Sequence, residues 1–208
     1  MPLPSVIFLH CTHQSTSLGI PFVGEFRTGY ITVNTTTQSK YFYWLYAAGG
    51  ATNPAASLND AAPLFLWMQG GPGCADGTGQ FDEIGPYTIV YGANGSIQAV
   101  PANITWNDKY HLLFIDNPVG VGYSVGTDNV NAATIVAEYV QTFLIRFFQI
   151  YTSLAAQPLY VFAESYGGHY GPAVVQKLIA NNSANGIKIT GKIAPRRSEL
   201  ILYRNGNC

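Results

Sequence analysis

The sequence predicts an α/β domain: a mostly parallel sheet with helices on both faces and an antiparallel hairpin at its N-terminal edge. Three observations carry this. Residues 63–68, 111–116 and 159–163 are short, continuous apolar runs, as in strands buried on both faces. Two stretches of 3.6-residue period, one between the last two runs and one after them, read as amphipathic helices. No internal repeat or long linker divides the 208 residues, a length that suits a single domain.

The elements follow in order. Residues 26–33 and 41–47 are rich in Tyr, Phe, Ile and Val. The polar stretch Asn34-Thr35-Thr36-Thr37-Gln38-Ser39-Lys40 separates them, so the pair reads as a hairpin. Residues 49–62 form a loop of small residues. The run 63–68 ends in Gln69-Gly70-Gly71-Pro72-Gly73-Cys74, and the run 111–116 ends in Asn117-Pro118-Val119-Gly120. Then Ile135, Val136, Tyr139, Val140, Phe143, Leu144, Phe147, Phe148 and Tyr151 recur at helical period, with Asp128, Asn129 and Asn131 as expected N-caps. A last helix follows Ser165, with Tyr170, Val174 and Leu178 on its buried stripe beside Val175 and Ile179. Pro172 is tolerated in its first turns. Residues 188–193 begin a further strand. The expected organisation is an N-terminal extension (1–24), a partial α/β domain (25–193) and an unpatterned tail (194–208).

Composition narrows the function. Hydrophobic residues are 48% and aromatics 13%, so the chain is built to fold. A net charge of −1 gives no general attraction to nucleic acid. No apolar run reaches the roughly 20 residues of a membrane span. Residues 1–9 are interrupted by Pro2 and Pro4 and make a poor signal peptide. Cys11, Cys74 and Cys208 lie far apart, with no metal-ligand spacing. No motif asks for a cofactor. Charged residues are only 10%, against about 25% in an average soluble domain. Sequons at Asn34, Asn94, Asn103 and Asn181 lean toward the secretory pathway.

The chemistry centres on Ala163-Glu164-Ser165-Tyr166-Gly167-Gly168. A buried strand runs into a serine with small residues two before and two after it, and a helix begins at once. That is the setting of a nucleophile elbow, in which the N–H of Tyr166 would face an oxyanion. The plain alternative is a strand-to-helix turn in which Ser165 caps the helix. The Gln69–Cys74 stretch is a poor phosphate cradle, because it has no GK[ST] and Pro72 removes a donor. A Gly-Gly turn after a buried strand is better suited to bring a second N–H to a reacting carbonyl.

These segments, with Phe81-Asp82-Glu83-Ile84-Gly85-Pro86, Trp106-Asn107, residues 117–124 and Glu164-Ser165-Tyr166-Gly167-Gly168-His169-Tyr170, resemble the serine carboxypeptidases in wording and order. The resemblance runs from about Gly29 to Leu178. It implies an α/β-hydrolase-type fold and removal of C-terminal residues from peptides. It makes Ser165 the nucleophile and the N–H groups of Gly71 and Tyr166 the oxyanion hole. It places Gln69, the N–H of Gly70, Glu83 and Glu164 at the substrate's terminal carboxylate. Two carboxyls in contact do not both ionise cheaply, so a pair of this kind can hold a proton and donate it to another carboxylate.

The sequence departs from the family in three ways. Gln69 stands where many members have Asn, and Ala163 where many have Gly. More seriously, no Asp follows Ser165, the only later acid is Glu199, and the only later histidine is His169. His169 lies one helical turn on and points along the helix, away from the serine. His10, His13 and His111 match no catalytic position. The expectation is the N-terminal portion of a longer enzyme, inactive as it stands, with Cys74 separated from a disulfide partner. A serine carboxypeptidase-like acyltransferase and a non-catalytic peptide-binding fragment are the alternatives. The resemblance and the sequons together imply a secreted, lysosomal or vacuolar protein that meets peptide or protein C-termini.

Overall fold

A computed structural model describes residues 24–50 and 52–181 of the chain. The expected strand at 188–193, the tail, the N-terminal extension, Cys11, Cys208, His10, His13 and Glu199 lie outside the described residues. The elements are β1 (Phe26–Asn34), β2 (Ser39–Tyr46), β3 (Leu64–Met68), β4 (Tyr87–Tyr91), β5 (Ile97–Pro101), β6 (His111–Ile115), α1 (Ala133–Ile150), β7 (Leu159–Ala163) and α2 (Gly167–Ala180).

The main sheet has the order β1-β2-β6-β3-β7. β1 and β2 form the expected hairpin, and β2 joins β6 antiparallel. The three continuous apolar runs, β6, β3 and β7, lie parallel. Every residue of β3 and β6 is buried, and the two-residue period divides them between two cores. Leu64, Leu66, Met68, Leu113 and Ile115 face one layer, with Phe143, Phe147 and Val174 from α1 and α2. Phe65, Trp67, Leu112 and Phe114 face the other, against Tyr87, Ile84 and Phe162, with Trp106 at its margin. Among the described residues both α-helices pack on the first face. Aromatic side chains from β4 and the turns before and after the β4–β5 hairpin cover the second.

α1 starts at an Ala132 cap with no side-chain bond, not at the expected Asp128, Asn129 or Asn131. Asp128 is used elsewhere. Its carboxylate accepts from Thr37 Oγ1 at 2.9 Å, Asn34 Nδ2 at 3.2 Å and Tyr139 Oη at 2.8 Å, tying the β1–β2 turn to α1. A little burial opposes ionisation there. The donors Ser39, Tyr139, Thr37 and Asn34 outweigh it and hold this carboxyl below its usual range. In α2, Tyr170, Val174 and Leu178 are buried as expected, but Ile179 is 46% exposed and leaves the stripe. β4 and β5 form a separate antiparallel hairpin that the apolar-run reading passed over. Its Asn94-Gly95 turn, flanked by β-branched and aromatic residues, was the available signal.

Candidate active site

Ser165 sits between the end of β7 and the start of α2 with φ +55°, in the left-handed region that a non-glycine residue rarely occupies. The turn is closed by Gly167 N–H donating to Glu164 O at 2.8 Å and Gly168 N–H donating to Ser165 O at 3.0 Å. The small flanking residues have a steric cause. A Cβ on Gly167 would lie 2.6 Å from Met68 O and 3.2 Å from Ala163 Cβ. The elbow is thus pressed against the end of β3, and only a glycine and a small neighbour leave room.

The Gly70–Gly71 turn comes equally close. A Cβ on Gly70 would lie 2.6 Å from Tyr166 N and 2.8 Å from Ser165 Cβ. Gly71 has φ +110°, and Cys74 N–H donates to Gly70 O at 3.1 Å to close the turn. Among the described residues, neither the N–H of Gly71 nor that of Tyr166 donates to a protein acceptor. The Gly70–Gly71 turn, from a distant part of the chain, therefore lies against the serine turn.

Gln69 is fully buried, and its amide is oriented by both of its partners. Trp67 Nε1 donates to Gln69 Oε1, and Gln69 Nε2 donates to Glu164 Oε2, each at 2.8 Å. Glu164 is itself 4% exposed, one residue before the serine. Glu83 ends the π-helical turn Gly79–Glu83. That turn packs on the indole that orients Gln69: a Cβ on Gly79 would clash with Trp67 Nε1. Gln69, Gly70, Gly71, Glu164, Ser165 and Tyr166 are thus neighbours, although 95 residues separate Gln69 from Glu164.

Two further carboxyls stand beside this group, and the motif reading did not single them out. Asp76 and Asp116 are 1% and 4% exposed. Burial, with repulsion from Asp116 and Glu83, pushes the Asp76 carboxyl well above the usual carboxylate range, against the pull of the N–H groups of Gln69 and Ile115. Burial raises Asp116 as well, against the N–H groups of Tyr123 and Asp76.

The histidines lie elsewhere. His111 is buried at the start of β6, the opposite end of the strand from the loop bearing Asp116. Its Nδ1 accepts from Ala48 N–H at 3.0 Å, so Nε2, 3.0 Å from Asp60 O, carries the ring proton. Burial holds its pKa below the ordinary histidine value, with the Asp60 contact pulling the other way. His169 is exposed and its ring packs at a tilt against Tyr166, ring centroids 4.6 Å apart. Neither histidine is hydrogen-bonded to Ser165 among the described residues. Nor do these residues gather three His, Cys, Asp or Glu side chains as a metal site.

A family model described as serine carboxypeptidase matches residues 19–193. The probable serine carboxypeptidase CPVL of Rattus norvegicus is 36% identical over 183 residues, 85% of this chain and 36% of that protein. The venom serine carboxypeptidase of Apis mellifera is 36% identical over 167 residues, 79% of this chain and 33% of that protein. Among solved structures, a prohormone-processing carboxypeptidase from Saccharomyces cerevisiae superposes with a TM-score of 0.65 at 25% identity, over 79% of this chain and 36% of that one. The chain therefore spans about a third of the length of the curated relatives it matches.

Proposed function

The chain belongs to the serine carboxypeptidase family, and from that premise we propose that residues 69–71 and 164–166 are the acylation site of a serine-type carboxypeptidase. In this reading Ser165 Oγ adds to the carbonyl of the last peptide bond. The developing oxyanion takes the N–H groups of Gly71 and Tyr166, and the positive end of α2 favours the same charge. The C–N bond then breaks, leaving an acyl-enzyme and a free terminal residue. Glu83 and Glu164, with the remaining N–H of Gln69 and that of Gly70, receive the substrate's terminal carboxylate. A secreted, lysosomal or vacuolar placement goes with this reading.

The observation that carries it is the left-handed Ser165 with Gly70 pressed against it. A serine acting only as a helix cap would not need that backbone, since caps take ordinary extended angles. Turnover needs one more group. The serine proton must reach a base and then the leaving amine, and no histidine among the described residues is placed to carry it. We therefore expect the 208-residue chain to hydrolyse peptides negligibly. Labelling with a fluorophosphonate should modify Ser165 far more slowly than in an active serine hydrolase, and stoichiometric labelling at the active rate would refute this.

The carboxylate pocket has its own test. Glu164→Ala is expected to weaken binding of peptides with a free C-terminal carboxylate by about tenfold, the worth of a charge-assisted hydrogen bond, and to leave their amides little changed. Equal losses for acid and amide in calorimetric titrations would remove Glu164 from this role.

A further inference from the structure

Two buried carboxyl groups next to the elbow take part in no step above, and their bonds run directly to the oxyanion turn. β3 and β6 pair in parallel as far as Trp67 and Phe114. Past that point the N–H of Gln69, at the end of β3, and the N–H of Ile115, at the end of β6, both go to one acceptor group. They donate to Asp76 Oδ1 at 2.9 Å and Asp76 Oδ2 at 2.6 Å. The Asp76 carboxyl stands where the sheet ladder stops, spanning the two strand ends.

Asp76 is in turn held by Asp116. The N–H of Asp76 donates to Asp116 Oδ1 at 3.0 Å, and Tyr123 N–H donates to Asp116 Oδ2 at 2.8 Å. Gly122 makes this possible: it has φ +55°, and a Cβ there would clash with Asp116 Oδ2. Ser124 Oγ donates to Asp116 O and accepts from Phe42 N–H at 2.8 Å, so the chain of bonds is anchored in β2. The segment from Gln69 to Asp76 is a loop that leaves β3 and returns to the N–H at its own point of departure. Gly70 and Gly71 are the first residues inside that loop. The Cys74 N–H to Gly70 O bond closes the turn locally, and the base of the loop decides where the turn points.

We propose that Asp76 is the positioning residue of the oxyanion turn, its carboxyl clamping Gln69 and Ile115 so that the Gly71 N–H is held over Ser165, with Asp116 fixing the clamp. This rests on the reading of Ser165 and Gly71 given above. Asp76 touches no reacting atom. Its requirement is two acceptor oxygens in one rigid group, which Asn cannot supply: one of the two N–H groups would then face an amide donor.

The test uses phenylboronic acid with the full chain. The serine oxygen forms a bond to boron, the serine proton passes to solvent, and boron becomes a tetrahedral anion with an oxygen in the oxyanion position. Boron-11 resonance distinguishes this adduct from the trigonal acid, and no base is needed at equilibrium. The wild type is expected to give the tetrahedral signal, and Ser165→Ala to abolish it. Asp76→Asn is expected to raise the dissociation constant by about tenfold or more while remaining folded. Binding within about twofold of wild type in a folded Asp76→Asn variant would overturn the clamp and leave the Ser165 reading intact. A wild type without the tetrahedral signal, or a signal that survives Ser165→Ala, would instead refute the Ser165 reading.

Should that happen, or should Asp76→Asn fail to fold, amide hydrogen exchange in the wild type decides the clamp. Protection of the Gln69 and Ile115 amides comparable with that of Leu66 upholds it. Exchange of the Gln69 amide at the rate of an open loop overturns it.

Discussion

Gly167→Ala sets two known effects against each other at the elbow. Alanine is the better helix former, worth about 1 kcal/mol over glycine in a helix interior and less at the first residue of α2. Against that, the new methyl would meet Met68 O at 2.6 Å, 0.8 Å short of the 3.4 Å at which ordinary contact begins. The obstacle is backbone, and Met68 is fully buried in a strand paired on both sides, so the strand end cannot step aside freely. Overpacking of this kind costs about 1–3 kcal/mol, so the clash wins and the net loss is about 1–2 kcal/mol. Urea denaturation followed by tryptophan fluorescence should show the midpoint falling by roughly 0.5–1 M for a slope typical of small domains. Gly77→Ala is the control. Its Cβ would meet nothing within 4 Å, so it should be neutral or slightly stabilising. A Gly167→Ala midpoint at or above that of the wild type would show that α2 does not press on β3 as described.

The remaining predictions concern pH, association and modification. His111 has a folded pKa below its unfolded value of 6.5, so the unfolded chain takes up its proton first as the pH falls. Stability from His111 is complete above pH 6.5 and declines below it, by at most about 1.4 kcal/mol per pH unit. Asp76 and Asp116 are raised above 3.8 and act with the opposite sign, losing stability as the pH rises through their elevated values. His111→Gln should therefore remove the acid-side decline, and an unchanged profile of unfolding midpoint against pH would refute this. Among the described residues β7 pairs on one side only and carries the half-exposed Tyr160. The chain should therefore self-associate at micromolar concentration. A monodisperse 22.5 kDa species in analytical ultracentrifugation would contradict that. In a secretory host, glycans are expected on the exposed Asn94 and Asn103. They are not expected on Asn34, whose amide donates to both Asp128 and Tyr139. Occupancy at Asn34 in peptide mapping would count against the Asp128 network.

The sequence by itself determined the features that depend on local period and on residue size. Strands β3 and β6 were legible because a strand buried on both faces needs five or so consecutive apolar residues. β7 was legible as an apolar run, but its Tyr160 is half-exposed, so it is not buried on both faces as expected. Helix α1 was legible because one apolar stripe repeats at helical period through Phe147 and Phe148. The serine turn was legible because Ala163 and Gly167 are the sizes that a crowded strand-to-helix turn allows. The family resemblance added roles that no period could supply.

The tertiary structure decided what depends on pieces far apart in the chain. Asp128 looked like a helix cap, but the β1–β2 turn arrives beside it and takes its carboxylate. Gln69 looked like a group facing substrate. Folding adds what orients it: Gln69 is enclosed between Trp67 and Glu164, and its amide is hydrogen-bonded to both. Asp76 and Asp116 carried no local signal at all, because an acidic residue in a loop is ordinarily a solvated charge. They became a buried pair only when β3 and β6 were laid side by side and the loops after them closed together. Periodicity reports which face of an element meets the core. Which polar groups are left to satisfy one another is decided where elements end, and that depends on the topology of the whole sheet.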